Sequence, residues 1–170
     1  SLRTITGADW NTAIGYSSLG VATGSNNTAV GYNSAPALTT GTENVCVGNA
    51  SGSSLTEGTQ NVSLGKNSGV GTTASYNVSV GYQAGNVLTT GGNNTAVGYR
   101  ALYKLITGYE NVAMGVGALG ASTSVGYAVA IGYTAMNANA TGDADGSVAI
   151  GYQTLNALTS GQQNVAIGLR

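Results

Sequence analysis

Two stretches hold side chains able to do chemistry. Gly142-Asp143-Ala144-Asp145-Gly146 places two carboxylates one residue apart. Alternate oxygen ligands open a calcium loop, but the later Glu that completes an EF-hand is missing here. A surface loop is the plainer reading of Asp143 and Asp145, and calcium is the alternative. The second stretch gathers Arg100, Tyr103, Lys104, Tyr109 and Glu110 on an otherwise sparsely charged chain. Aromatic faces beside long polar side chains suit a sugar, whose C–H face stacks while its hydroxyls find partners. These residues are therefore candidate glycan contacts, against the simpler reading that they are the solvent side of one coil.

Other chemistries find little support. There is no histidine, which removes a Ser-His-Asp triad and any His-based metal site. A glycosidase needs two carboxyls about 5 to 9.5 Å apart. Glu43 and Glu110 occupy equivalent places four repeats apart, roughly 19 Å at the spacing of stacked strands. The expectation is a non-enzyme without cofactor or resident metal. A net charge of −1 with five basic residues is too little to neutralise a run of phosphates, so nucleic acid is not an expected partner. Cys46 has no second cysteine to pair with and reads as a buried small residue. No apolar run approaches the roughly 18 residues of a membrane span, so no membrane insertion is expected of this segment.

The elements that position these residues come from repetition. The motif Asn27-Thr28-Ala29-Val30-Gly31-Tyr32 recurs, with its glycine at Gly15, Gly31, Gly48, Gly65, Gly81, Gly98, Gly115, Gly132, Gly151 and Gly168. The spacings are 16, 17, 17, 16, 17, 17, 17, 19 and 17 residues. A period this short over nearly the whole chain predicts a solenoid with one repeat per coil. The glycine column implies a backbone position that needs positive φ or has no room for a Cβ. The asparagine column, with Asn27, Asn44 and Asn94 among its members, fails only at Ala128 and Ser147. Asparagine bonds its own backbone at turns, and when stacked in register it can bond its counterparts along the axis.

Between Asn and Gly the residue sizes alternate. The middle position is always Ala, Ser or Cys, flanked by Thr or Val before it and Val, Ile, Leu or Met after it. Period two predicts a β-strand with a face of tiny residues and a face of mostly β-branched ones. A strand apolar on both faces should be buried on both. The tiny face suits a narrow interior, and the Val/Ile face then calls for a second copy of the stack. Leu38, Leu55, Leu88, Leu105 and Leu158 precede the next Asn by six residues, which reads as a second, shorter strand closed by a Gly/Asn turn. The expected fold is all-β, a parallel β-solenoid or β-roll of about ten coils of 16–19 residues, forming one repeat domain over 1–170. Such a rod is roughly 48 Å long.

The Asn-(Thr/Val)-Ala-(Val/Ile)-Gly-Tyr core joined to Leu-Thr-Thr-Gly resembles repeats of phage and viral tail-fibre proteins. Ser147-Val148-Ala149-Ile150-Gly151 is similar to the head repeat of trimeric autotransporter adhesins. The resemblance implies a left-handed β-roll assembled as a homotrimer, extracellular on a virion or a bacterial surface, and part of a longer fibre. Its implied work is that of a rigid spacer and adhesion module meeting a cell-surface glycan or protein receptor. The adhesin head is the alternative within that class. From another class, the hydroxyl pairs Thr39-Thr40, Thr89-Thr90 and Thr159-Ser160 suggest an ice-binding solenoid, and open strand edges at both ends suggest a self-assembling filament.

Overall fold

The computed structural model describes residues 7–69, 71–139 and 144–170. Ten three-residue strands form one parallel sheet in strict sequence order. They are β1 (Thr12–Ile14), β2 (Thr28–Val30), β3 (Val45–Val47), β4 (Val62–Leu64), β5 (Val78–Val80), β6 (Thr95–Val97), β7 (Val112–Met114), β8 (Val129–Ile131), β9 (Val148–Ile150) and β10 (Val165–Ile167). Each middle residue pairs with the next middle residue, as Ala29 with Cys46 and Cys46 with Ser63. The chain is a β-solenoid of single-strand coils, as the periodicity predicts, and among the described residues no helix is long and apolar enough to cross a membrane.

The alternating sizes sort as expected. The small middle residues of β2 to β9 are buried, while their neighbours are half-buried or exposed. The glycine column has two reasons to be glycine. Gly98 sits at φ 131°, and a Cβ there would lie 2.6 Å from the Gly115 carbonyl oxygen. Gly48 and Gly81 meet Gly65 and Gly98 at the same 2.6 Å, so no side chain fits between coils. Gly31 and Gly151 occupy the same crowded column, each with its Cβ position against the next coil's glycine.

The anticipated second strand does not form. Two and four residues after the repeat glycine the backbone turns left-handed, at Asn33 and Ala35 (φ 54° and 44°) and at Arg100 and Leu102 (φ 55° and 51°). Such residues make this arc of the coil a series of turns, and the leucines read as a second strand, Leu38, Leu55, Leu88, Leu105 and Leu158, lie downstream of it and outside the ten strands. Each non-Gly residue held left-handed costs about 1–2 kcal/mol, and the stack supplies the compensation. Ala35 N–H donates to Ser51 O at 2.8 Å and Leu102 N–H to Ala118 O at 3.0 Å, so the next coil holds each turn.

Across the flattened coil, the strand's middle residue faces the residue six positions later, and their sizes trade off. Cys46, Ser63 and Ser79 face Gly52, Gly69 and Gly85, whose added Cβ atoms would strike Cys46 Sγ, Ser63 Oγ and Ser79 Oγ. Where the middle residue is alanine, as at Ala13, Ala96, Ala113 and Ala130, the partner position holds Leu19, Leu102, Leu119 and Met136, all fully buried. Among the described residues the core divides into two clusters, between Leu55 and Ala74. The coil after Gly65 puts Gly69, Gly71 and Ala74 inside, around a cavity of about 10 Å³.

Replacing Gly98 with Ala should cost about 3 kcal/mol, combining backbone strain with a carbonyl clash. At Gly168, at the end of the stack, nothing lies within 4 Å of the Cβ position, so its Ala variant should lose only about 1 kcal/mol. Denaturant melts of both variants check the difference; equal losses would mean that φ alone, not inter-coil crowding, dictates the column.

Candidate functional site

The surface columns rest on an internal polar ladder. Asn44 N–H and Nδ2 donate to Asn27 Oδ1 at 2.9 and 3.1 Å, and Asn44 Nδ2 also reaches the Gly58 carbonyl one coil on at 2.8 Å. Asn94 repeats this with Asn77 Oδ1 at 3.0 and 3.1 Å and Gly108 O at 2.9 Å. Each buried amide thus ties three coils, the axial bonding that the Asn column suggested. The ladder ends where Ala128 N–H donates to Asn111 Oδ1 at 3.0 Å. At Ser147 the hydroxyl substitutes, accepting from Asn164 N–H at 3.2 Å.

A second ladder involves the first threonine of two pairs read as ice-facing, Thr39 and Thr89, with Thr56 at the same place in its own repeat. Thr39 Oγ1 donates to Thr56 O, Thr56 Oγ1 to Thr72 O and Thr89 Oγ1 to Ile106 O, each at 3.0 Å. Their hydroxyl protons point along the rod into the neighbouring coil. A regular water-ordering array would need them outward. Sequence reasoning paired Thr39 with Thr40 and Thr89 with Thr90 within a coil and missed the partner one period away.

Apart from Glu57, the described charged residues segregate by corner. Lys66, Arg100, Lys104 and Arg170 follow the repeat glycine, whereas Asp9, Glu43, Glu110 and Asp145 precede the next strand. The candidate glycan group is therefore divided. Arg100, Tyr103 and Lys104 line one surface depression of about 260 Å³ together with Gly117, Gly120, Ala121 and Asn137. Tyr109 sits at the opposite end of the strand register, its ring edge-on to Tyr127 with centroids 5.3 Å apart. Tyr109, with burial and the nearby Glu110 and Asp145 as further causes, raises the Tyr127 pKa above the ordinary tyrosine value.

Within the depression Arg100 is held in place. Its Nε donates to Gln83 Oε1 at 2.9 Å, and its guanidinium carbon lies 5.2 Å from the Tyr99 ring centroid and 4.9 Å from that of Tyr103. This cation–π contact orients a charge that would otherwise wander. The tyrosines after the glycine stack in pairs, Tyr16–Tyr32, Tyr82–Tyr99 and Tyr133–Tyr152, with centroids 5.2–5.4 Å apart and planes within 11°. They stay partly exposed, and the column is interrupted by Asn49, Lys66 and Val116.

Of the candidate calcium pair, Asp143 lies outside the described residues. Asp145 Oδ1 accepts the Gly126 N–H at 2.7 Å, fastening one coil to the next. Among the described residues no group of three or more His, Cys, Asp or Glu could hold a metal ion. Glu43 Oε2 accepts from Gln60 Nε2 at 2.6 Å. Cys46 is buried, and its thiol pKa is pushed up from 9.0 to about 12 by desolvation, against the opposing hydrogen bonds with Ser63 and Ser51. It belongs to the core.

No protein-family model, curated protein or solved structure matches the chain.

Two outcomes follow from this geometry. Asn94→Ala should cost about 3 kcal/mol, because it leaves Gly108 O and the Asn111 backbone N–H without these buried partners and removes one bond each from Asn77 Oδ1 and Asn111 Nδ2, which keep the residue 94 N–H and Val125 O; a loss under about 1 kcal/mol in a urea melt would show the ladder contributing little. The raised Cys46 pKa favours the neutral thiol in the folded chain. Its contribution to stability is intact below pH 9 and falls as pH rises from 9 toward 12. The difference in stability between wild type and Cys46→Ala should change across that window, and a thiol reagent at pH 8 should label the native chain only as fast as it opens.

Proposed function

We propose that this chain is a rigid segment of an extracellular or virion fibre, a spacer and adhesion module assembled as a homotrimer. The observation that carries the reading is the outward face of the sheet. Over ten rungs its two columns hold only Thr, Val, Ile, Leu and Met, with no charged residue. The interior is already filled by the small column and the leucines, so this face has no partner within the chain. A parallel sheet with one bare apolar face is unusual, since such sheets are covered on both sides. A second and third copy of the same rod would cover it with matching periodicity. The likeness of the repeat to tail-fibre and adhesin-head repeats points the same way.

The work is geometric. Backbone bonds along the axis and the Asn and Thr ladders make the rod stiff. Three rods then present every exposed site in triplicate, and repetition converts weak contacts with a cell surface into avidity without any single tight site.

Light scattering on the eluting peak tests the assembly: three times the chain mass is expected. Val97→Lys and Ile131→Lys should each shift the mass to that of one chain while the β-sheet circular dichroism persists. A wild-type monomer would sink the reading, and a broad size distribution would replace the closed trimer with end-to-end growth.

A further inference from the structure

The depression beside Arg100 owes its shape to a change of residue size between successive coils. Arg100, Tyr103 and Lys104 stand two, five and six residues after Gly98, and Gly117, Gly120 and Ala121 occupy the same places after Gly115. One coil further, Asn137 holds the place of Tyr103 and Gly120. Three long side chains therefore overhang a floor that has none, with an amide at the far wall. The floor has no spare room at its base, since a Cβ on Gly120 would lie 2.9 Å from Asn137 Oδ1.

Among the described residues no carboxylate lines the depression. Arg100 and Lys104 are two of the chain's five basic residues. Of the described carboxylates, Asp9, Glu43, Glu110 and Asp145 lie at the upstream corner, and Glu57 lies in a coil three repeats earlier. Gln83 occupies Arg100 Nε, and the guanidinium carbon lies over the Tyr99 and Tyr103 rings. Its two terminal nitrogens remain for an incoming planar anion, the geometry in which arginine binds a carboxylate with two parallel hydrogen bonds.

We infer that this depression is a binding site for a carboxylate-bearing saccharide, a sugar of the uronic-acid type; the inference rests on the adhesion reading and narrows its ligand class. Arg100 takes the carboxylate, with Lys104 as a second cation at the rim. The Tyr103 ring offers an apolar wall to the C–H face of the sugar, and the Asn137 amide can both donate to and accept from its hydroxyls. At about 260 Å³ the depression is smaller than the roughly 300–1,000 Å³ of drug-sized ligand pockets. It suits one ring of a polysaccharide more than a peptide, because it presents neither an apolar socket nor a free strand edge, the usual anchors of peptide recognition. All its lining residues lie outside the strands, so covering the outer sheet face with other copies leaves it open.

The test is a titration of the 170-residue chain with an oligouronate tetrasaccharide, followed by calorimetry. The same oligosaccharide with its carboxyls reduced to alcohols and a Glu-rich peptide of equal charge serve as comparisons. The oligouronate should bind with an affinity that falls as salt rises. Arg100→Gln and Lys104→Gln should each weaken it about tenfold, and Ala121→Trp should abolish it by filling the depression. Thermal melts should stay close to wild type in all three variants, since Arg100 and Lys104 are exposed and Ala121 is half-buried, outside the core. Equal binding of the carboxyl-reduced sugar would overturn the acidic class while leaving adhesion standing. Equal or tighter binding of the peptide would overturn the saccharide. No binding by a chain whose light scattering still reports a trimer would remove this site but not the fibre reading, whereas a monomeric mass would strike that reading itself.

Discussion

The constraint on which the rest depends is in-register stacking at the glycine column. With each coil placed so that Gly98 meets Gly115 and Gly115 meets Gly132, every other position is also forced onto its own kind. A parallel stack is therefore intolerant of charge at any repeated site. Two like charges one strand spacing apart repel by about 1 kcal/mol in water and by several-fold more at a protein surface. This accounts for a composition with 6% charged residues. In two columns the charge has a neutral, complementary neighbour. Glu43 is followed by Gln60, which donates to it, and Arg100 is preceded by Gln83, which accepts from it. Glutamine here does what a counter-ion would do, without placing a second charge in the column.

The same register makes the interior a question of complementary sizes within each coil. A narrow lumen limits the volume available at each level, and the strand and the turn share that allowance. When the strand contributes Cys46, Ser63 or Ser79, the turn gives way with Gly52, Gly69 or Gly85. When the strand contributes alanine, the turn mostly supplies leucine or methionine. The hydroxyls of this stretch need partners in turn: Ser34 Oγ donates to Cys46 O and Ser51 Oγ to Ser63 O, at 2.8 and 2.7 Å. Ser79 Oγ has none. Among the described residues, the serine-rich stretch and the split in the core coincide between Leu55 and Ala74.

Much of this was legible in the sequence, because stacking turns spatial neighbours into residues one period apart. The strands, the small inward column and the Asn ladder can all be read from aligned copies. The second strand misled because the leucine columns look strand-like, while nothing in Ala35, Leu102 or Leu119 announces a left-handed backbone (φ 44° to 51°). That conformation is imposed by hydrogen bonds from the adjoining coil, and no local propensity encodes it. The candidate glycan residues were half legible for a related reason. Nearness in sequence grouped Tyr109 with Arg100, Tyr103 and Lys104, but the strand register sends it to the other corner. The floor of the depression, Gly117 and Gly120, emerges only when one coil is read against the next.

A repeat under such constraint leaves few places for specificity. The glycine, asparagine and small columns are fixed by packing, and the outward Val/Ile columns by the need for a uniform face. Recognition of any one ligand has to reside where the columns are broken. The sharpest break among the described residues is the step from Arg100, Tyr103 and Lys104 to Gly117, Gly120 and Ala121, where side-chain length and charge both collapse within one coil. A mutation in a fixed column would register as instability along the whole rod. One at such a break would alter binding and leave the rod intact. The division lets a fibre of this kind change its ligand by a few substitutions while its length, stiffness and assembly stay the same.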